Sequence, residues 1–181
     1  PLTQHADEHQ LDLHDRIALM VKVCEGVEHA HSRGVIHRDL KPANILVIDD
    51  SRLTIHDSSA VPRESVASKS SIVNHQSSIP KILDFGIARA IDANRALTVA
   101  AATTNAGQIL RTLAYMSPEQ VAGDPAPIAI RSDVYALGVI AFELLGGRTP
   151  HNLTTMSMAH AARVILEQDP PPLGSLDRRC R

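Results

Sequence analysis

The chain has 181 residues, 44% apolar, 21% charged and 2% aromatic, enough to bury one sizeable core but not two ordinary ones. A net charge of -2, from 18 Lys and Arg against 20 Asp and Glu, excludes a basic footprint spread over the surface. With no Trp and only 2 Tyr and 2 Phe, there is no platform for stacking bases, so nucleic acid is not an expected partner. Cys24 and Cys180 have no metal-like spacing, and the longest apolar stretch, Ala136 to Leu145, is interrupted by Glu143 and too short to span a bilayer. These observations predict one domain or part of one, with no membrane segment and a reducing, cytoplasmic setting.

In chain order, the first predicted element is a helix over about residues 13–32. Asp12 caps it, with Asp15 in its first turn, and Ile17, Met20, Cys24, Val27 and Ala30 form its apolar stripe. Gly34 suits a left-handed stop, and Lys22, opposite the stripe, reads as a solvated surface residue. Val35-Ile36, Ile45 to Ile48 and Lys81 to Asp84 read as short strands. Residues 49–79 carry nine serines and little periodicity, which predicts a flexible insertion. Arg131 to Leu145 is apolar enough for a helix buried on most sides. Thr155 to Gln168 predicts a further helix, stopped by Asp169-Pro170-Pro171-Pro172, and residues 176–181 form an unstructured end.

The chemistry concentrates in His37-Arg38-Asp39-Leu40-Lys41-Pro42-Ala43-Asn44. On a loop between two short strands, Asp39 and Asn44 can turn toward one centre, one able to accept a proton and the other to hold a metal. The stretch resembles the catalytic loop of the protein kinases in its Ser/Thr form. Asp84-Phe85-Gly86 resembles the D-F-G motif, and Tyr115-Met116-Ser117-Pro118-Glu119 resembles the A-P-E closing motif in its bacterial M-S-P-E-Q form. These three features in the family's order make the resemblance specific, and it covers about residues 10–175.

The resemblance implies roles for individual residues. Asp39 is catalytic, taking or orienting the substrate hydroxyl, and Lys41 is catalytic and cofactor-binding, neutralising charge on the transferring phosphoryl group. Asn44 and Asp84 bind the nucleotide cofactor through magnesium, as its ligands, so ATP and Mg2+ are the implied cofactors. Asp133, in Arg131-Ser132-Asp133-Val134-Tyr135-Ala136-Leu137-Gly138, matches the aspartate that ties down the catalytic-loop backbone. His37 reads as a packed imidazole rather than a base, since Asp39 already supplies the carboxylate. Between Gly86 and Ser117, Thr98, Thr103 and Thr104 are candidate phosphorylation switches that pair with Arg38, and Thr112 matches the threonine beside the catalytic aspartate. Arg111 stands where the family ordinarily has glycine, which would strain a backbone of positive φ there and affect peptide binding beside it.

No G-x-G occurs among the nine glycines, no strand-borne lysine precedes residue 37, and the helices whose arginine would pair with Glu119 are lacking. The expected fold is therefore mainly α with a few short strands: the large carboxy-terminal lobe of a protein kinase, incomplete, over 1–175, with the amino-terminal lobe absent and Glu119 unpartnered. The implied function is transfer of the ATP γ-phosphoryl group to protein Ser/Thr hydroxyls. The isolated chain is expected to be inactive without the missing lobe or a partner supplying it. The alternatives are a non-catalytic, pseudokinase-like scaffold module and a small-molecule phosphotransferase. Arg38, Lys41, Phe85 and the activation segment all favour protein substrates over the latter.

Overall fold

The computed structural model describes residues 1–49, 78–85, 106–123 and 130–175. The described elements are α1 (Leu2–Glu8), α2 (Leu13–His31), β1 (Ile45–Asp49), β2 (Ser78–Ile82), α3 (Ala106–Leu113), α4 (Pro118–Ala122), α5 (Ile130–Gly146) and α6 (Met158–Glu167), with single 3-10 turns at Pro42–Asn44 and Leu173–Ser175. The described part is mostly helical, with one two-stranded antiparallel sheet in which Ile45 pairs with Ile82 and Asp49 with Ser78.

The helix α2 forms as its sequence directs. Asp12 Oδ1 accepts from the Asp15 amide at 2.9 Å, satisfying one of the first turn's orphan donors. At the other end Gly34 takes φ 74°, while its amide reaches His31 O and the Val35 amide reaches Ala30 O, the paired bonds of a Schellman turn. That turn consumes the Val35 N–H, and Val35-Ile36, expected as a strand, is irregular chain. The expected apolar stripe is also rotated. Leu19, Met20, Val23 and Val27 are buried, whereas Ile17 and Cys24 are exposed. The helix turns that face inward because it packs on both β2 and α5. Gly26 permits the close approach to β2: a Cβ there would lie 3.2 Å from Ile82 Cδ1. Lys22 is half-buried rather than solvated, and its Nζ donates to Ser78 O at 2.9 Å, tying α2 to the start of β2.

The strand β2 begins at Ser78, inside the expected insertion, and ends at Ile82, short of Asp84. Ile45, Val47 and Ile82 turn toward the core while Leu46, Ile48 and Ile79 are exposed, the alternation of a sheet with one wet face. The remainder of the expected insertion, 50–77, lies outside the described residues.

The main core joins α1, α2, α5 and β1 through residues such as Leu2, Val23, Ile45, Ile140 and Leu144. A second cluster joins α3, α4 and α6 through Leu113, Val121, Leu153 and Val164. The first helix was not expected from its sequence. It is held by Leu2 and Ala6, both fully buried, and by Arg16, whose guanidinium donates to Asp7 Oδ1 at 2.9 Å and Leu144 O at 2.7 Å. The helix α5 spans Ile130–Gly146 and, as expected, is buried or half-buried on most sides; only the stripe Ile130, Arg131, Val134 and Gly138 is exposed, with Val134 at 57%. The helix α6 starts at Met158, three residues later than expected, because Ser157 Oγ caps it through the His160 amide.

Candidate active site

The loop 37–44 leaves the Schellman turn with almost no regular backbone pairing of its own. Buried side chains from other elements satisfy it instead. The carboxylate of Asp133, on the first turn of α5, accepts from the His37 amide through Oδ2 and from the Arg38 amide through Oδ1, each at 2.8 Å. His31 Nε2, at the end of α2, lies 2.8 Å from the same Oδ2. Asp133 is 1% exposed, and a carboxylate so deep is tolerated because several donors replace its lost water.

Arg38 adopts φ 71°, a left-handed backbone in a non-glycine residue. Its carbonyl accepts from Gln120 Nε2 at 2.9 Å. The imidazole of His37 is fully buried and uses both nitrogens: Nδ1 accepts from the Asp39 amide at 3.3 Å, and Nε2 donates to Leu83 O at 2.7 Å. It is packed and structural, its ring 4.8 Å from that of Phe85. The bond to Leu83 O draws the chain away from strand pairing just before Asp84, which takes φ 60°.

Within this frame Lys41 Nζ donates to Asp39 Oδ2 at 2.8 Å. Asn44 Nδ2 donates to Asp39 O at 2.9 Å and approaches Asp39 Oδ2 at 3.3 Å. The 3-10 turn at Pro42–Asn44 brings these side chains to one side of the loop. Asp39, Lys41 and Asn44 are therefore in direct contact. The neighbour of Asp84 is tied to the same loop, since the Leu83 amide donates to Asn44 O at 2.8 Å. With Nδ2 committed to Asp39, the Asn44 amide has its oxygen left to offer, and Asp84 adds an exposed carboxylate. Amide and carboxylate oxygens are the donor types a hard divalent cation such as magnesium takes, with phosphate and water completing its shell. Among the described residues no cluster of three or more His, Cys, Asp or Glu competes for that role.

The 115–119 stretch closes the site from the other side. Ser117, fully buried, caps α4, with its amide and hydroxyl both bonded to Gln120 Oε1, at 2.9 and 3.1 Å. Tyr115 Oη donates to Glu143 Oε2 at 2.5 Å. Burial raises the pKa of both groups; the hydrogen bond raises that of Tyr115 further and offsets part of the rise for Glu143. Glu119, expected to be unpartnered, accepts from Ser132 Oγ at 2.7 Å. Burial alone would raise its pKa, but hydrogen bonds from Ser132, its own backbone and Ser117, with the charge of Arg131, hold it below the usual carboxylate range. Thr112 lines the same small cleft as Arg38 and Asp39. Arg111 lies in the last turn of α3, and the positive-φ non-glycine residues are Gln10, Arg38 and Asp84 among those described, so the expected strain at Arg111 does not arise. Thr98, Thr103 and Thr104 lie outside the described residues.

The family profile for the protein kinase domain matches residues 2–172. The chain belongs to that family. Its relatives place it with the bacterial Ser/Thr type. It is 36% identical over 163 residues to the serine/threonine-protein kinase Pkn1 of Myxococcus xanthus, covering 88% of this chain and 18% of the relative. It is 38% identical over 138 residues to serine/threonine-protein kinase PknL of Mycobacterium tuberculosis, covering 76% and 25%. Against serine/threonine-protein kinase PknA of Mycobacterium tuberculosis it is 30% identical over 167 residues, covering 91% and 29%. The kinase-family chain thus spans between about a fifth and a third of the length of these relatives.

Sequence reasoning passed over two residues of this site. At His31, near the end of α2, nothing local in the sequence marks its bond to Asp133 across 102 positions. Gln120 carried a signal, the Ser-x-x-Gln spacing of a capping box, but that spacing predicts only its bond to Ser117 and not its reach to Arg38.

Proposed function

We propose that this chain is the catalytic large lobe of a Ser/Thr protein kinase, transferring the γ-phosphoryl group of ATP to a protein hydroxyl. The observation that carries the reading is the Asp39 carboxylate, bonded to Lys41 and Asn44 on a loop whose backbone Asp133 clamps. Phosphoryl transfer depends on placement and charge more than on covalent help, and that is the kind of assistance this arrangement can give. Asp39 orients the attacking hydroxyl and accepts its proton. Lys41, beside it, neutralises charge gathering on the transferred group. Asn44 and Asp84 would hold magnesium, which when bound offsets the negative charge of the nucleotide phosphates. Thr112, lining the same cleft as Asp39, would guide a serine or threonine hydroxyl to it.

The 181-residue sequence holds no G-x-G, so the elements that cover the nucleotide phosphates are not encoded in it, and the isolated chain is expected to turn over little. The contacts among Asp39, Lys41 and Asn44 favour this reading over a scaffold module, which has no need of them. The test is transfer of radiolabelled phosphate from ATP to a protein acceptor by the natural polypeptide that carries this segment. Transfer abolished by Asp39→Asn is the expected result. Transfer that survives the substitution would refute the assignment.

A further inference from the structure

We propose that Gln120 is a positioning residue for Asp39, acting through the backbone of Arg38; the proposal rests on the reading of Asp39 as the catalytic carboxylate. Arg38 at φ 71° is in a left-handed conformation that non-glycine L-residues adopt only at an energetic cost. Such a residue persists where its surroundings fix it, and here the peptide planes on both sides are fixed. The plane before it is held by the Arg38 amide on Asp133 Oδ1 at 2.8 Å. The plane after it is held at both edges: Gln120 Nε2 donates to Arg38 O at 2.9 Å, and the Asp39 amide donates to His37 Nδ1 at 3.3 Å. Fixing both planes fixes both soft dihedrals of Arg38, and with them the direction in which Asp39 leaves the backbone.

Gln120 suits this task because its amide has two ends. Oε1 is held by the Ser117 amide and hydroxyl, and the residue is only 9% exposed, so Nε2 is aimed by a rigid cap. The carbonyl of Arg38 is thereby fixed to the closing stretch 115–119 and α4, and a displacement of α4 would be transmitted to Asp39 through one hydrogen bond. Gln120 touches no reacting atom in this account.

The two ends of the amide allow the cap and the positioning bond to be separated. In Gln120→Glu a carboxylate oxygen keeps the acceptor for Ser117, since glutamate serves a capping box as well as glutamine, but the donor to Arg38 O is gone. Two measurements are made. In this chain, amide hydrogen exchange is followed residue by residue together with the thermal midpoint. In the natural polypeptide carrying it, kcat and KM for ATP are determined. The expected result is a midpoint lowered by no more than a few degrees with the chain still folded, exchange at Asp39 faster by about fivefold to tenfold, as loss of one hydrogen bond implies, and a fall in kcat of about tenfold or more with KM little changed. Gln120→Met, which fills the same space without polar atoms, should accelerate exchange at Asp39 likewise, and it serves if the Glu variant does not fold. Wild-type exchange at Asp39 in the folded variant would overturn the proposal, as would an unaltered kcat in an active enzyme. If the wild-type polypeptide transfers no phosphate, the catalytic reading fails, while the exchange measurement still decides whether Gln120 holds the loop.

Discussion

The helices α2 and α5 meet the rest of the chain through two unlike faces. Where the end of α2 approaches the start of α5, His31, Asp133 and the His37 and Arg38 amides are almost fully matched, every partner within 2.8 Å. On another face, beginning at Val134 beside Asp133, the same helices present Ile17, Val21 and Val134, each between 45% and 57% exposed, along a shallow apolar groove. The contrast teaches that directional polar bonds, rather than apolar area, hold the site in register. An unmatched buried amide costs a fixed desolvation penalty, whereas an apolar side chain at the surface loses only the gain it would have had from burial.

Replacing Asp133 with Ala should give the largest effect, because it strands two buried amides and a histidine at once. A loss of about 3–5 kcal/mol in urea or guanidinium unfolding is expected, with a loss under about 1 kcal/mol contradicting the contrast. His31→Leu removes one donor and leaves the two amide bonds, so about 1–2 kcal/mol is expected in the same experiment.

The acidic groups give a subtler test through pH. The pKa of Glu119 is lowered in the folded chain, so its contribution is present above the unfolded carboxylate value and is lost as pH falls through the folded one. That of Glu143 is raised, chiefly by burial, so its contribution is present below the unfolded value and fades as pH rises through the folded one. Stability measured against pH should lose part of its acid-side slope in Glu119→Gln. In Glu143→Gln it should gain on the neutral side, since the amide oxygen can still accept from Tyr115 without carrying a buried charge. A Glu143→Gln variant less stable at neutral pH would reverse the sign of the argument. At the opposite extreme, Ile17→Ser and Val134→Ser on the open face should each change stability by no more than about 0.5 kcal/mol. A larger loss would mean the groove is packed rather than open.

How far the sequence discloses the molecule divides along the same line. The capped helix α2, the strand β1, the buried His37 and the clamp at Asp133 were all legible, because capping, alternation and the kinase motifs are local patterns. The helix α1 and the rotated stripe of α2 were not, since which apolar face turns inward is decided by partners far away in the chain. The partial burial of Lys22 and the pairing of Glu119 with Ser132 likewise depend on long-range placement. The end of β2 was missed for a conformational reason: Leu83 and Asp84 are apolar and acidic residues that could extend a strand, but His37 takes the Leu83 carbonyl and Asp84 turns left-handed.

The proposed role of Asn44 and Asp84, that their oxygens serve one divalent cation beside Asp39, is open to direct test. The most direct measurement is paramagnetic broadening by manganese in the NMR spectrum of this chain, titrated with magnesium as competitor. Broadening that appears first at Asn44 and Asp84, is reversed by magnesium and is lost in Asp84→Asn is the predicted result. Broadening that spares both residues, or is indifferent to that substitution, would contradict it.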